Sequence, residues 1–259
     1  MKFKPVKKTV LTCVWSSGFD QPCNNQPFLR GIFSDFKLGF IILFLENMLL
    51  QLVGILQIKS YDKAKEFLDQ EHVGRFSTVD ENGYPQIIPM NFVFLNDVVY
   101  MHSHPRGEKI ENFLRNDKVG FEVDRELEFL PSYFEDPKNA SLADTLYISI
   151  VMKGVALLVT DREEKTLALN GLMKKYQPEG GYDPIRSDMR VLDGVAVIKI
   201  IPKTFHGKYK IGQHLSKQDR MGLAQKIFEK NSPTAKKTLK IMGFEITADG
   251  IKMIDEPLW

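Results

Sequence analysis

The chain has 259 residues, 43% hydrophobic and 26% charged, with 35 lysines and arginines against 33 acids. That is a globular mix, long enough for a substantial core in one or two domains. A duplex binder shows a clustered basic face, and a net charge of +2 demands no such thing, so nucleic acid is not an expected partner.

The two cysteines, Cys13 and Cys23, both stand near the N-terminus. They exclude a disulfide framework for the main body and speak against a thiolate zinc site; no metal is expected. One bridge between them stays open, although an intracellular chain keeps such thiols reduced. Residues 1–57 read as an extension and 58–259 as the folded domain. The opening MKFKPVKKTVLTCVWSSG is basic and then briefly apolar, too briefly for a secretory signal, and Met48 is an alternative start of the folded protein. Residues 38–58, LGFIILFLENMLLQLVGILQI, are the most apolar run. About 20 such residues suffice to cross a bilayer. Glu46 and Asn47 near the centre oppose a span, and Asn47, Gln51 and Gly54 share one face, as in a mostly buried helix. A cytoplasmic location is expected, with membrane association through residues 38–58 left open.

From Ser60 the pattern becomes regular. YDKAKEFLDQE is an amphipathic helix capped by that serine. The turn signals ENG and LND divide the next stretch into antiparallel strands over 73–79, 84–94 and 97–103. A brief helix follows over 108–116, then strands over 118–124 and 146–160, the latter with Gly154 placed for a bend or bulge. Residues 161–176 form a helix with an aspartate cap, early acids and late lysines. A strand region over 194–210 and helices in LSKQDRMGLAQKIFEK and SPTAKKTLKIMGF complete the chain. This order predicts a mainly β (α+β) fold, an antiparallel barrel with peripheral helices.

The stretch YMHSHPRGEKIENF, residues 100–113, concentrates groups suited to an anion. A strand-to-helix turn leaves N–H groups unpaired at the helix start, where the dipole favours negative charge. Gly107 permits close approach of the backbone, Pro105 stiffens the loop, Ser103 offers a hydroxyl, and Arg106 and Lys109 supply charge. That inventory suits a phosphate monoester; the competing reading is a solvated loop. His102, at the strand end, faces a site more readily than His104. In IIPMNFVF, Pro89 interrupts a strand and Asn91 is polar among apolar neighbours. Proline belongs on an edge strand, where free backbone groups meet a ligand, or at a bulge that closes the barrel. Arg75 is a further candidate or a surface ion-pair partner. In GKYKIGQ, Lys208, Lys210 and Gln213 reach an anionic cofactor or line a solvated strand face.

Taken as a set, these pieces resemble the pyridoxamine 5′-phosphate oxidase-like FMN-binding split barrels. HVGRFSTVD and HSHPRGEK carry the Gly-Arg-x-x-Thr-Val-Asp and His-Ser-x-x-x-Gly-x-Lys patterns of the nitroimidazole-resistance branch, and YISIVMKGVALLVTDREEKTLALNGLMKKY is similar to its later strand and helix. KYKIGQHLSKQDRMGL is similar to the C-terminal stretch of PaiB-type flavin-binding regulators. The resemblance spans about residues 60–240. It implies a six-stranded split barrel, a homodimer and FMN at the subunit interface. By position it assigns the phosphate to Ser103, Gly107 and Lys109, with Arg106 in the same turn where the branch often differs. It puts Pro89, Met90 and Asn91 along the isoalloxazine ring and His102 near the flavin, and adds Lys210 and Gln213 as further cofactor-binding residues. The polar connection over 131–147 would cap the flavin or touch the other subunit.

The expected function is an FMN-dependent oxidoreductase acting on a small organic molecule, with NAD(P)H as a donor to test. The flavin carries the chemistry, so no catalytic side chain is assigned. The alternatives are a non-catalytic flavin-binding regulator, or the same barrel holding a deazaflavin or haem, the last through His206 or His214.

Overall fold

The computed structural model describes residue 54 and residues 56–257. The basic N-terminal stretch, Cys13, Cys23, Met48 and the apolar run over 38–53 lie outside the described residues. The last turn of that run belongs to the folded domain: Ile58 N–H donates to the Gly207 carbonyl at 2.9 Å, and Leu56 and Ile58 are buried. Among the described residues no helix is long and apolar enough to cross a membrane.

Helix α1 is Tyr61–Gln70, with Ser60 accepting from Lys63 N–H as its cap. Strands β1 (Val73–Val79), β2 (Pro85–Asn91), β3 (Val93–Leu95) and β4 (Val98–Ser103) follow, then α2 (Glu108–Arg115). β5 (Lys118–Leu130) and β6 (Asp144–Leu158) are joined through two 3₁₀ turns. Helix α3 (Arg162–Tyr176), β7 (Ala196–Lys210), α4 (Lys217–Lys230), α5 (Ala235–Ile241) and the hairpin β8 (Phe244–Thr247) and β9 (Gly250–Met253) complete the order.

The main sheet runs β2-β1-β5-β6-β7-β4-β3 and is antiparallel throughout. Its two edges, β2 and β3, are separated in sequence by Phe92 alone. The expected six strands therefore appear as seven segments: one strand pairs with β1 through Asn91 and with β4 from Val93 onward. Switching partners at Phe92 splits the barrel. Alternating residues of β1, β5, β6 and β7 fill the interior, with Phe76, Phe121, Val123, Ile148, Ile150 and Met152 essentially excluded from water.

Several expected boundaries move for local reasons. β4 starts at Val98 because Asn96 and Asp97 both take positive φ, 50° and 65°, in the hairpin turn. β5 runs on to Leu130, its ladder with β6 shifting between Glu126 and Glu128. Gly154 does mark an irregularity, since a Cβ there would stand 2.5 Å from the Ile201 carbonyl oxygen. Ser216 caps α4, so the helix begins two residues later than its apolar pattern suggests. The hairpin β8–β9 had no strong sequence signal.

Candidate functional site in the barrel split

The ladder between β3 and β4 pairs Val93 with Tyr100 and Leu95 with Val98. Extended by two and three residues, that register would set Asn91 opposite His102 and Met90 opposite Ser103. It stops there, because β2 turns to pair with β1, Gly74 opposite Met90 and Arg75 opposite Pro89. The two strands remain neighbours without a ladder. Pro89, Met90 and Asn91 thus line one edge of the split, and His102 and Ser103 line the other. Pro89 sits on an edge strand in unbroken register, so the bulge reading does not hold and the break falls at Phe92. Pro89, Asn91 and His102 are exposed, while Met90 and Ser103 are half-buried.

Beyond Ser103 the chain makes a tight turn into α2. The Ser103 hydroxyl donates to the His104 carbonyl at 2.8 Å, and Arg106 N–H donates to Nδ1 of His104 at 3.2 Å. His104 therefore shapes the turn. Gly107 precedes the helix at φ 138°, a value that side chains resist, and it brings no cap. Its carbonyl accepts from Ile110 and Glu111 N–H, leaving those of Glu108 and Lys109 without an acceptor among the described residues. Among the described residues Arg106 and Lys109 make no ion pair. An uncapped helix start beside an uncompensated lysine, a serine and a close-approaching glycine fits a phosphate monoester.

Two anchors for this site escaped the sequence reading. Asn112 of α2 is buried and donates to Thr78 at 3.2 Å and to Gln86 at 3.4 Å, pinning the helix across β1 and β2. Arg115 donates to Asn112 and to the Val79 carbonyl. A lone Asn in an amphipathic helix gives no signal of this from sequence.

The second anchor is the end of α3. Phe92 N–H, which no strand claims, donates to the Tyr176 hydroxyl at 2.8 Å, and that hydroxyl reaches the carbonyls of His72 and Phe92. Beside it, the Lys175 ammonium lies 3.7 Å above the Phe92 ring centre and donates to the Leu68 carbonyl at 2.8 Å. Burial holds Lys175 at about 8, against 10.5 for a free lysine. Below about pH 8 the native state must keep a proton its surroundings disfavour. Between about 8 and 10.5 the unfolded chain binds the extra proton, so this residue's contribution to stability rises with pH over that window. Denaturant unfolding of the wild type minus Lys175→Met is expected to show that rise from pH 8 to 10; a flat difference contradicts it.

Other candidates lie elsewhere. Lys210 pairs with Asp144. Gln213 donates to the Tyr209 carbonyl at 2.8 Å and accepts from Ile211 N–H at 3.0 Å, closing the turn after β7. Ser103 pairs with Ala196 at the start of the 15-residue β7, whereas Lys210 is its last residue. At about 3.3 Å per residue a single chain does not bring Lys210 or Gln213 to the turn. Arg75 is exposed and ion-paired with Glu122 and Asp124, and Lys208 stands over the Tyr147 ring. His206 is exposed opposite Val151, well past the β7 residues that pair with β4, and His214 follows Gln213.

The class of protein is that of the split antiparallel barrels. The sequence model of the family described as pyridoxamine 5′-phosphate oxidase matches residues 60–209, and the chain belongs to that family. Among solved structures it is similar to a candidate 5-nitroimidazole antibiotic resistance protein of Bacteroides thetaiotaomicron, with 24% identity, TM-score 0.51, and 59% of this chain and 86% of the other covered. It is also similar to an FAD and haem binding protein of Mycobacterium smegmatis, with 16% identity, TM-score 0.52 and coverage of 64% and 79%. A flavocytochrome of Azotobacter vinelandii gives 17%, 0.51, 60% and 69%. At these identities the likeness concerns the fold. No curated protein matches the chain.

Proposed function

We propose that the protein binds FMN in the barrel split and acts as an FMN-dependent oxidoreductase on a small organic substrate. The observation that carries this reading is the uncapped start of α2, with Ser103, Gly107 and a Lys109 that has no ion pair among the described residues at the end of the strand that lines the split. Ser103 and Lys109 would hold the phosphate with the free N–H groups of Glu108 and Lys109, and Arg106 would add charge from the exposed side. Pro89, Met90 and Asn91 would flank the ring system, with His102 facing them. Bound FMN supplies the hydride and electron chemistry, so the chain needs only to bind, orient and exclude water.

The reading includes a homodimer with the flavin at the interface. In its favour, the site is open to solvent on one side, with Pro89, Asn91 and His102 exposed. The outer sheet face beside β2 also exposes Ile87 and Val151 around a shallow apolar groove, an area a second copy would cover.

Flavin titration by fluorescence quenching tests the site. Ser103→Ala with Lys109→Ala is expected to weaken FMN by 100-fold or more, about 3 kcal/mol for two charge-assisted hydrogen bonds, while the circular dichroism of the barrel is retained. An unchanged affinity would place the phosphate elsewhere. Mixing the FMN-loaded protein with NADH or NADPH under nitrogen tests turnover. Bleaching at catalytic rates supports the oxidoreductase, and its absence supports a flavin-binding regulator. The absorbance spectrum of the purified protein separates flavin from haem.

A further inference from the structure

At the Lys210 end of β7, helix α4 and the connection between β5 and β6 enclose a cavity of about 600 Å³, within the range of about 300–1,000 Å³ that holds small molecules. It belongs to neither edge of the split. Its floor is apolar, made chiefly by Leu130, Phe134, Leu146 and Leu223. Two lysines stand at its rim, each held by a carboxylate: Lys210 by Asp144 at the start of β6, and Lys226 by Glu135 of the connection at 2.8 Å. The side chains of the acids are the more exposed partners, 47% and 63% against 24% and 36% for the lysines. An ion pair with one partner in water contributes little, so a competing carboxylate replaces Asp144 or Glu135 at small cost, and the released acid rehydrates. His214 lines the same rim without a hydrogen-bond partner among the described residues. Burial and the neighbouring Lys210 hold its pKa below the ordinary histidine value, leaving a neutral ring that can donate or accept.

We propose that this cavity binds an amphipathic aromatic monocarboxylate, its ring against the leucine floor and Phe134, its carboxylate on Lys210 in place of Asp144. A rigid ring loses less rotational freedom on entry than an alkyl chain. A single negative charge exchanges evenly for that of Asp144, whereas a dianion would meet Asp219, which caps α4 with Ser216 at the same rim.

Gly222 of α4 faces the cavity, and a Cβ there meets nothing within 4 Å. Calorimetric titration of the full chain with 2-naphthoate is the test. The wild type is expected to bind, 2-naphthol at least tenfold more weakly, and Gly222→Leu at least tenfold more weakly with an unlowered melting temperature. Asp144→Asn, which removes the competing carboxylate, is expected to tighten 2-naphthoate about threefold or more. The proposal is overturned by absence of binding at millimolar probe, by naphthol matching naphthoate, or by both variants binding as the wild type does. FMN affinity should be indifferent to Gly222→Leu; displacement of FMN by naphthoate would make this the flavin pocket and refute a separate site, whereas loss of FMN binding in the turn variants alone bears on the split.

Discussion

Tyr176→Phe is expected to lower the unfolding free energy by about 1–3 kcal/mol, the cost of leaving a buried backbone donor without a partner. The Tyr176 hydroxyl accepts the N–H of Phe92 and reaches the carbonyls of His72 and Phe92. Phe92 is the residue at which the strand leaves β1 for β4, so neither ladder can take over that bond. Phenylalanine keeps the ring beside His72 and removes only the hydroxyl. Tyr100→Phe is the control: its hydroxyl donates to Glu164, and Glu164 retains Lys199 at 2.8 Å, so a smaller loss is expected. Urea unfolding measures both, and faster amide exchange at Phe92 would locate the damage. If the flavin lies in the split, its affinity falls in Tyr176→Phe and not in Tyr100→Phe. Equal stability losses would mean that the switch point is held by packing alone.

What was legible in the sequence was legible because it is local. Ser60 and Asp161 cap the helices that follow them, and the turn at Asn96–Asp97 closes the expected hairpin. The turn from His102 to Lys109 announces itself by residue types packed into one short segment, and Pro89 reads as an edge-strand residue because it lacks an N–H. The split itself was not readable from periodicity. It depends on one strand exchanging partners, and the apolar run Phe92–Phe94 looks the same whether it continues one ladder or begins another. Asn112 and Tyr176 were missed for the same reason, since their partners stand 34 and 84 residues away. GKYKIGQ shows the same limit from another side. Its lysines and glutamine look alike as ligand groups, and only the fold pairs Lys210 with Asp144 and bonds Gln213 to its own turn. Arg220, a little further on, is buried against Glu256, an unusual use of a surface-type residue.

The largest stability loss is expected from Glu128→Ala. Glu128 is 2% exposed, and its carboxylate accepts from Lys230, Ser232 and Thr234. It sits where the β5–β6 ladder slips, so its side chain turns from the barrel toward the link between α4 and α5. Beside it Thr238 donates to the Leu127 carbonyl, fastening α5 to the same strand. Alanine takes the acceptor from two hydroxyls and leaves the Lys230 ammonium only the Phe129 carbonyl, at a cost of about 3 kcal/mol; glutamine keeps an acceptor and loses less, about 1–2 kcal/mol. Burial pushes the Glu128 carboxyl up, but the hydrogen bonds from Lys230, Ser232 and Thr234 outweigh it and hold the group below its ordinary value. A depressed carboxylate contributes stability that is complete above the unfolded pKa, about 4.3, and is lost as pH falls through the folded one. The gap between wild type and Glu128→Gln should therefore be widest near neutrality and narrow below about pH 4. A gap independent of pH would show that the charge is idle and that shape alone matters at this position. The family match ends at residue 209; beyond it, the links through Glu128 and Thr238 join the apolar packing of Ala224, Ile227 and Leu239 in fastening the C-terminal helices to the barrel. With Glu128→Ala, proteolysis is expected to cut first between α4 and α5, leaving the strands of the split intact.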